Sequence, residues 1–121
     1  MKAHVLLVED EPDIRLIARA ALTRAGFAVV PASNGLEALA AVAAARPDLI
    51  VMDCMMPELD GLDACARLKS DEATRDIPVI FLTAKADAAA HGRCMAVGAL
   101  GCIAKPFNPL QLGDQIKALL T

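Results

Sequence analysis

Five times along the chain a short apolar run is followed by a segment with helical spacing, and this alternation restricts the fold more than any other property of the sequence. The runs are Val5–Val8, Phe27–Pro31, Asp48–Met52, Pro78–Leu82 and Cys102–Ala104. They are too short for helices, and the clearest are apolar at consecutive positions, as expected of strands covered on both faces. The first helix opens on Pro12, with Asp13 in its first turn, and stops at Gly26. Its apolar stripe is Ile14, Ile17, Ala18, Ala21, Leu22 and Ala25, with Arg15, Arg19 and Arg24 off it. A second helix follows Asn34 and Glu37, which have capping-box spacing, and lines up Leu36, Leu39, Ala40 and Ala43 before Pro47. Leu62, Cys65, Ala66 and Lys69 set out a third, and Asp87 to Val97 a weaker fourth containing Gly92. The fifth opens on Asn108-Pro109 with Gln111 three residues after the cap, and turns Leu112, Ile116, Leu119 and Leu120 inward.

Strand alternating with helix implies an α/β fold with a parallel sheet covered on both faces and right-handed crossovers. Residues 1–121 are expected to form one domain, since no linker, repeat or low-complexity stretch interrupts the five units. Hydrophobic residues make up 56% of the chain, yet there is no Trp or Tyr and only three Phe, so the core must be aliphatic. A net charge of -3 without a basic cluster, and few rings to stack on bases, argue against direct nucleic-acid binding. There is no signal-peptide core and no apolar run of membrane-spanning length, so no membrane association and a cytoplasmic location are expected. Cys54, Cys65, Cys94 and Cys102 form no Cys-x-x-Cys pair and read as buried thiols, and His4 and His91 are isolated.

The chemistry gathers where strands end. In an open parallel sheet, ligands bind outside the carboxyl ends of the strands. Those ends carry Glu9 and Asp10, then Asp53, then Thr83, then Lys105. Carboxylates about 4 Å apart repel by about 4 kcal/mol at an effective dielectric near 20. A divalent cation relieves that repulsion, and an all-oxygen donor set favours Mg²⁺, with Mn²⁺ as a substitute. The ion and the Lys105 ammonium would keep Asp53 ionised as a nucleophile and neutralise a transferred phosphoryl group. Singly, Glu9 and Asp10 would read as helix N-terminal charges and Lys105 as a surface lysine; together they read as a site. Fingerprints for dinucleotides, the phosphate-binding P-loop and the esterase nucleophile are absent.

Val8-Glu9-Asp10-Glu11, Met52-Asp53-Cys54-Met55-Met56-Pro57, Leu82-Thr83-Ala84 and Lys105-Pro106-Phe107 together resemble the signatures of the receiver domains of two-component response regulators, over essentially the whole chain. The resemblance implies a doubly wound, flavodoxin-like sheet in strand order 2-1-3-4-5 with five helices. It implies a phosphorylation-activated switch that catalyses its own phosphotransfer and dephosphorylation at Asp53. The donor would be a histidine kinase or histidine phosphotransfer protein. Glu9, Asp10, Asp53 and the backbone carbonyl of Met55 would hold Mg²⁺. Lys105 would contact the phosphate, Thr83 would move toward it, and Met55 and Lys85 would tune phosphate lifetime. The Lys105–Pro106 peptide is a cis candidate.

Two positions depart from the family pattern. Cys102 stands where receivers usually carry Tyr or Phe, so the switch is expected to be altered but working. Ala99-Leu100-Gly101 lacks the acidic residues of the winged-helix branch, so a downstream protein is expected to dock on the helix 4–strand 5–helix 5 face, with the chain a monomer or weak dimer. A single receiver domain without an output domain is expected. A stand-alone regulator is the expected form; a receiver fragment of a larger regulator or hybrid kinase, and a pseudo-receiver that binds without taking phosphate, are the alternatives.

Overall fold

The structure, a computed structural model, describes residues 3–54, 56, 59–84 and 88–120. The elements alternate without exception: β1 (His4–Val8), α1 (Pro12–Arg24), β2 (Ala28–Ala32), α2 (Gly35–Ala44), β3 (Leu49–Asp53), α3 (Gly61–Lys69), β4 (Val79–Ala84), α4 (Ala88–Ala96), β5 (Gly101–Lys105) and α5 (Pro109–Leu120). All strands are parallel, in the order β2-β1-β3-β4-β5. The sequence places each unit correctly, with strand and helix ends displaced by a residue or two.

Strand parity divides the interior into two layers. Leu6, Val8, Ile50, Met52, Val79 and Phe81 face α2, α3 and α4, packing with Ala38, Val42, Cys65, Leu68 and Cys94. Val5, Leu7, Leu49, Val51, Ile80, Leu82 and Ile103 face α1 and α5, packing with Ala18, Leu22, Leu112 and Ile116. Consecutive apolar residues in the central strands are needed because each face must be covered. The core is aliphatic as its composition demands, with Phe81 and Phe27 as its buried rings.

Caps and close approaches place the helices on this sheet. The Asn34 side chain accepts from the Glu37 N–H at 2.9 Å. Glu37 in turn accepts from Ser33 N–H at 2.9 Å, one residue upstream of the reciprocal bond in a standard capping box. Asp60 caps α3 through the Asp63 N–H, and Asn108 caps α5 through the Leu110 N–H, each at 2.9 Å. Gly26 and Gly98, at φ 102° and 96°, end α1 and α4 in the left-handed conformation. Gly61 is required for a different reason: a Cβ there would lie 2.3 Å from the Asp53 carbonyl oxygen. Its bare Cα lets α3 begin directly against the end of β3.

Several helix faces differ from the expected stripes. In α2 the buried positions are Gly35, Ala38 and Val42, whereas Leu36 is 50% exposed and Ala40 and Ala43 face solvent. The helix is apolar nearly all round, so spacing alone leaves its rotation open, and contact between Gly35 and Leu59 decides it. In α3, Ala64 and Leu68 flank Cys65 inside, and Ala66 points out. Ile17 in α1 and Leu120 in α5 are exposed. Ile17 and Ile14 instead line an apolar groove with Phe107 and Pro109, beside the carboxyl end of the sheet. Among the described residues no helix is long and apolar enough to cross a membrane.

Candidate functional site

The carboxyl ends of β1, β3 and β5 deliver three charged side chains to one point. Glu9 follows β1 directly, and its N–H continues the pairing with β2 by donating to the Ala32 carbonyl at 3.0 Å. Asp53 is the last residue of β3, and the next N–H, of Cys54, still donates to Leu82 in β4. Lys105 ends β5 opposite Ala84. By parity Glu9, Asp53 and Lys105 all lie on the α1/α5 side, continuing from Leu7, Val51 and Ile103. The Lys105 Nζ lies 3.0 Å from Glu9 Oε1 and 3.0 Å from Asp53 Oδ2.

Asp10 completes the group. Carboxylate oxygens of Glu9, Asp10 and Asp53 all lie within 4.8 Å of one another. Glu9 is fully buried and Asp53 is 5% exposed, so neither charge can rely on water. Burial, then the hydrogen bond and charge of Asp53, raise the Glu9 carboxyl from 4.5 to about 7 despite the opposing Lys105. For Lys105, burial alone would lower the ammonium, but hydrogen bonds to Asp53 and Glu9 outweigh it and hold the pKa above the ordinary lysine value. Three acids against one ammonium leave negative charge uncompensated. The donors are all oxygen, and their spacing suits a hard divalent cation.

Arg15 and Glu11 support this corner. The Arg15 Nη1 donates to the Glu9 carbonyl at 2.8 Å, and the Glu11 N–H donates to Glu9 Oε2 at 3.3 Å. In the sequence Arg15 reads only as a cation off the apolar stripe of α1. Its signal was a long cationic side chain in the helical turn after an acidic strand end.

Thr83 is 6% exposed, one residue beyond Leu82, the register partner of Asp53. Its parity puts it with Phe81 on the opposite side of the sheet, the side of α4. Cys102 sits beside Phe81 in register and packs partly buried into the same layer. The Lys105–Pro106 peptide is cis. Met55 and Lys85 lie outside the described residues. The cysteines are free thiols, with Cys54, Cys65 and Cys94 buried and Cys102 half-buried, and both histidines are exposed.

The family model of the response regulator receiver domain matches residues 5–117. This chain belongs to the response regulator receiver family. The phosphate regulon transcriptional regulatory protein PhoB of Pseudomonas aeruginosa is 41% identical over 116 residues, which are 96% of this chain and 51% of PhoB. The receiver thus spans about half the length of the curated relatives it matches. Among solved structures, the chemotaxis response regulator CheY4 of Vibrio cholerae superposes with a TM-score of 0.92 at 33% identity, covering 98% of this chain and 99% of CheY4. The receiver domain of the sensor histidine kinase PA1611 of Pseudomonas aeruginosa superposes with a TM-score of 0.89 at 32% identity, covering 99% and 98%. That structure has a magnesium ion coordinated in its active-site cleft. Receivers of this family serve phosphorylation-dependent signalling in two-component systems. Phosphorylation on aspartate and Mg²⁺ binding are general features of the family.

Proposed function

We propose that Asp53 is the phosphoryl acceptor of this receiver. The observation that carries the reading is the Lys105 ammonium held 3.0 Å from Asp53 beside two further acids. In the transfer, an Asp53 carboxylate oxygen attacks the phosphorus of a donor phosphoimidazole. The P–N bond breaks, and the departing imidazole nitrogen takes a proton. Lys105 is placed to follow the charge from the carboxylate to the arriving phosphoryl oxygens. Thr83, one residue past the register partner of Asp53, is the group we assign to hydrogen-bond those oxygens.

Glu9, Asp10 and Asp53 fit a Mg²⁺ ion, with Mn²⁺ as a substitute. The Met55 carbonyl, assigned by resemblance as a fourth donor, lies outside the described residues. When bound, the ion would supply charge neutralisation for the acids and for the phosphoryl oxygens. The uncompensated charge among three close carboxylates supports this assignment.

The phosphoryl donor would be a histidine kinase or a histidine phosphotransfer protein. The output would be protein contact through the face of α4, β5 and α5, where Met95 and Leu100 are 43% and 41% exposed. Residues 1–121 form one receiver domain in this reading. A second arrangement is favoured by the half-length match to transcriptional regulators: a receiver within a longer regulator, where any DNA contact would belong to another segment.

The test is incubation with Mg²⁺ and acetyl phosphate followed by intact-mass measurement. One phosphoryl group should appear on the wild type and none on Asp53→Asn. A wild type that gains no phosphoryl group and shows no Mg²⁺-dependent rise in melting temperature would be a pseudo-receiver, because an ion that binds only the native state must stabilise it.

A further inference from the structure

Immediately after Asp53 the chain carries a group that phosphoryl transfer does not use. The Cys54 Sγ lies 3.5 Å from the Cys94 Sγ, although 40 residues separate them. Cys54 is 2% exposed and Cys94 is fully buried in the layer beneath α4. The half-buried Cys102, on β5, packs against the same layer.

We propose that Cys54 and Cys94 are a modification site, joined by a reversible intramolecular disulfide when the protein meets a hydroperoxide. The sulfurs are in van der Waals contact, and a bond of about 2.05 Å requires them to close by about 1.5 Å. Side-chain rotation together with a small shift of α4 supplies this. The helix rests chiefly on β4 and β5, so its movement disturbs little else. In the first step a hydroperoxide transfers one oxygen to one sulfur, giving a sulfenic acid and releasing water or an alcohol. The second sulfur then displaces the hydroxyl group, which leaves as water with the second thiol's proton. Two thiols lose two electrons and the peroxide gains them.

Burial raises the pKa of both thiols, so the bond forms slowly and protection from adventitious oxidation is built in. Once formed, it tethers α4 to the residue that follows Asp53 and closes a long loop across the sheet. Oxidation thereby acts on a helix that forms part of the proposed output face. The disulfide itself does not depend on Asp53 taking phosphate.

The reduced full chain is treated with hydrogen peroxide, quenched, unfolded in excess N-ethylmaleimide and weighed intact. Monomeric wild type should take up two maleimides in place of four, and four again after dithiothreitol. The double variant Cys65→Ala/Cys102→Ala, which keeps only the contact pair, should go from two maleimides to none. Tryptic digestion and fragmentation of oxidised, alkylated wild type should show one linked peptide pair in which Cys65 and Cys102 carry maleimide and Cys54 and Cys94 do not. Full alkylation of oxidised wild type would overturn the proposal. So would a disulfide that is intermolecular, or one that involves Cys65 or Cys102. The positions of the maleimides in the wild-type digest decide the matter even where the double variant does not fold.

Discussion

Lys105 and Asp53, 52 residues apart in sequence, meet at 3.0 Å where β5 and β3 end. Neither is adjacent to the other in the sheet, because β4 runs between their strands. The contact therefore depends on the length of the lysine chain reaching across the β4 end, and a shorter cation could not make it.

Replacing Lys105 with Met should destabilise the metal-free protein by roughly 2–3 kcal/mol at pH 7.5. The lysine is one-fifth exposed, so the loss should fall below the 3–5 kcal/mol typical of a broken, fully buried pair. Urea unfolding measures it, and saturating Mg²⁺ should recover much of the loss. Asp53→Asn should do the opposite, removing a repelling charge and leaving metal-free stability equal to the wild type or above it.

The Glu9 carboxyl gives the metal-free protein a defined pH dependence. Asp10, Asp53 and Lys105 face it, with Arg15 on its carbonyl. Folded Glu9 keeps its proton to about pH 7, whereas an unfolded glutamate releases it near 4.5. Between those values the folded state binds more protons, so the Glu9 contribution is full below about pH 4.5 and is lost as pH rises to about 7. The contribution is on the order of 3 kcal/mol at most. The urea midpoint of wild type should therefore fall more steeply from pH 5 to 7.5 than that of Glu9→Gln. Equal slopes would show that Glu9 ionises normally.

Gly61→Ala should cost about 1–3 kcal/mol, the range for overpacking a filled interior. The obstructing atoms are the backbone oxygen of Asp53 and the buried Phe81 ring, at 2.3 Å and 3.0 Å, and neither can swing away. Chemical denaturation would show the loss. Gly92→Ala is the control, since its new methyl group meets nothing within 4 Å and should stabilise α4 by up to about 1 kcal/mol.

Native-state alkylation should separate the four thiols. Cys102 is half-buried and should react first with a maleimide, whereas Cys54, Cys65 and Cys94 should wait for denaturant. Burial pushes all four pKa values up, which slows even the half-buried member. Time-resolved mass spectrometry with and without urea reads the order.

The sheet and the acidic corner were legible in the sequence for the same reason. Val5–Val8, Ile50–Met52 and Val79–Leu82 are apolar on both parities, which only a doubly covered strand requires. Glu9, Asp53 and Lys105 interrupt that pattern at its ends, so their placement follows from strand length. The rotation of α2 was not legible, because alanine on every side gives no phase and the deciding contact is with the Leu59 backbone. Nor was the Cys54–Cys94 contact, which depends on how α4 settles over β4 and on no spacing within either segment.

An interior built without Trp or Tyr leaves the protein almost dark in the near ultraviolet. A single indole introduced by Phe107→Trp, in the groove that also includes Lys105, would be the chain's only bright fluorophore. Its emission would report on ions and partners arriving at that end of the sheet with no background to subtract. The aliphatic core thus makes this receiver a ready optical sensor of its own site.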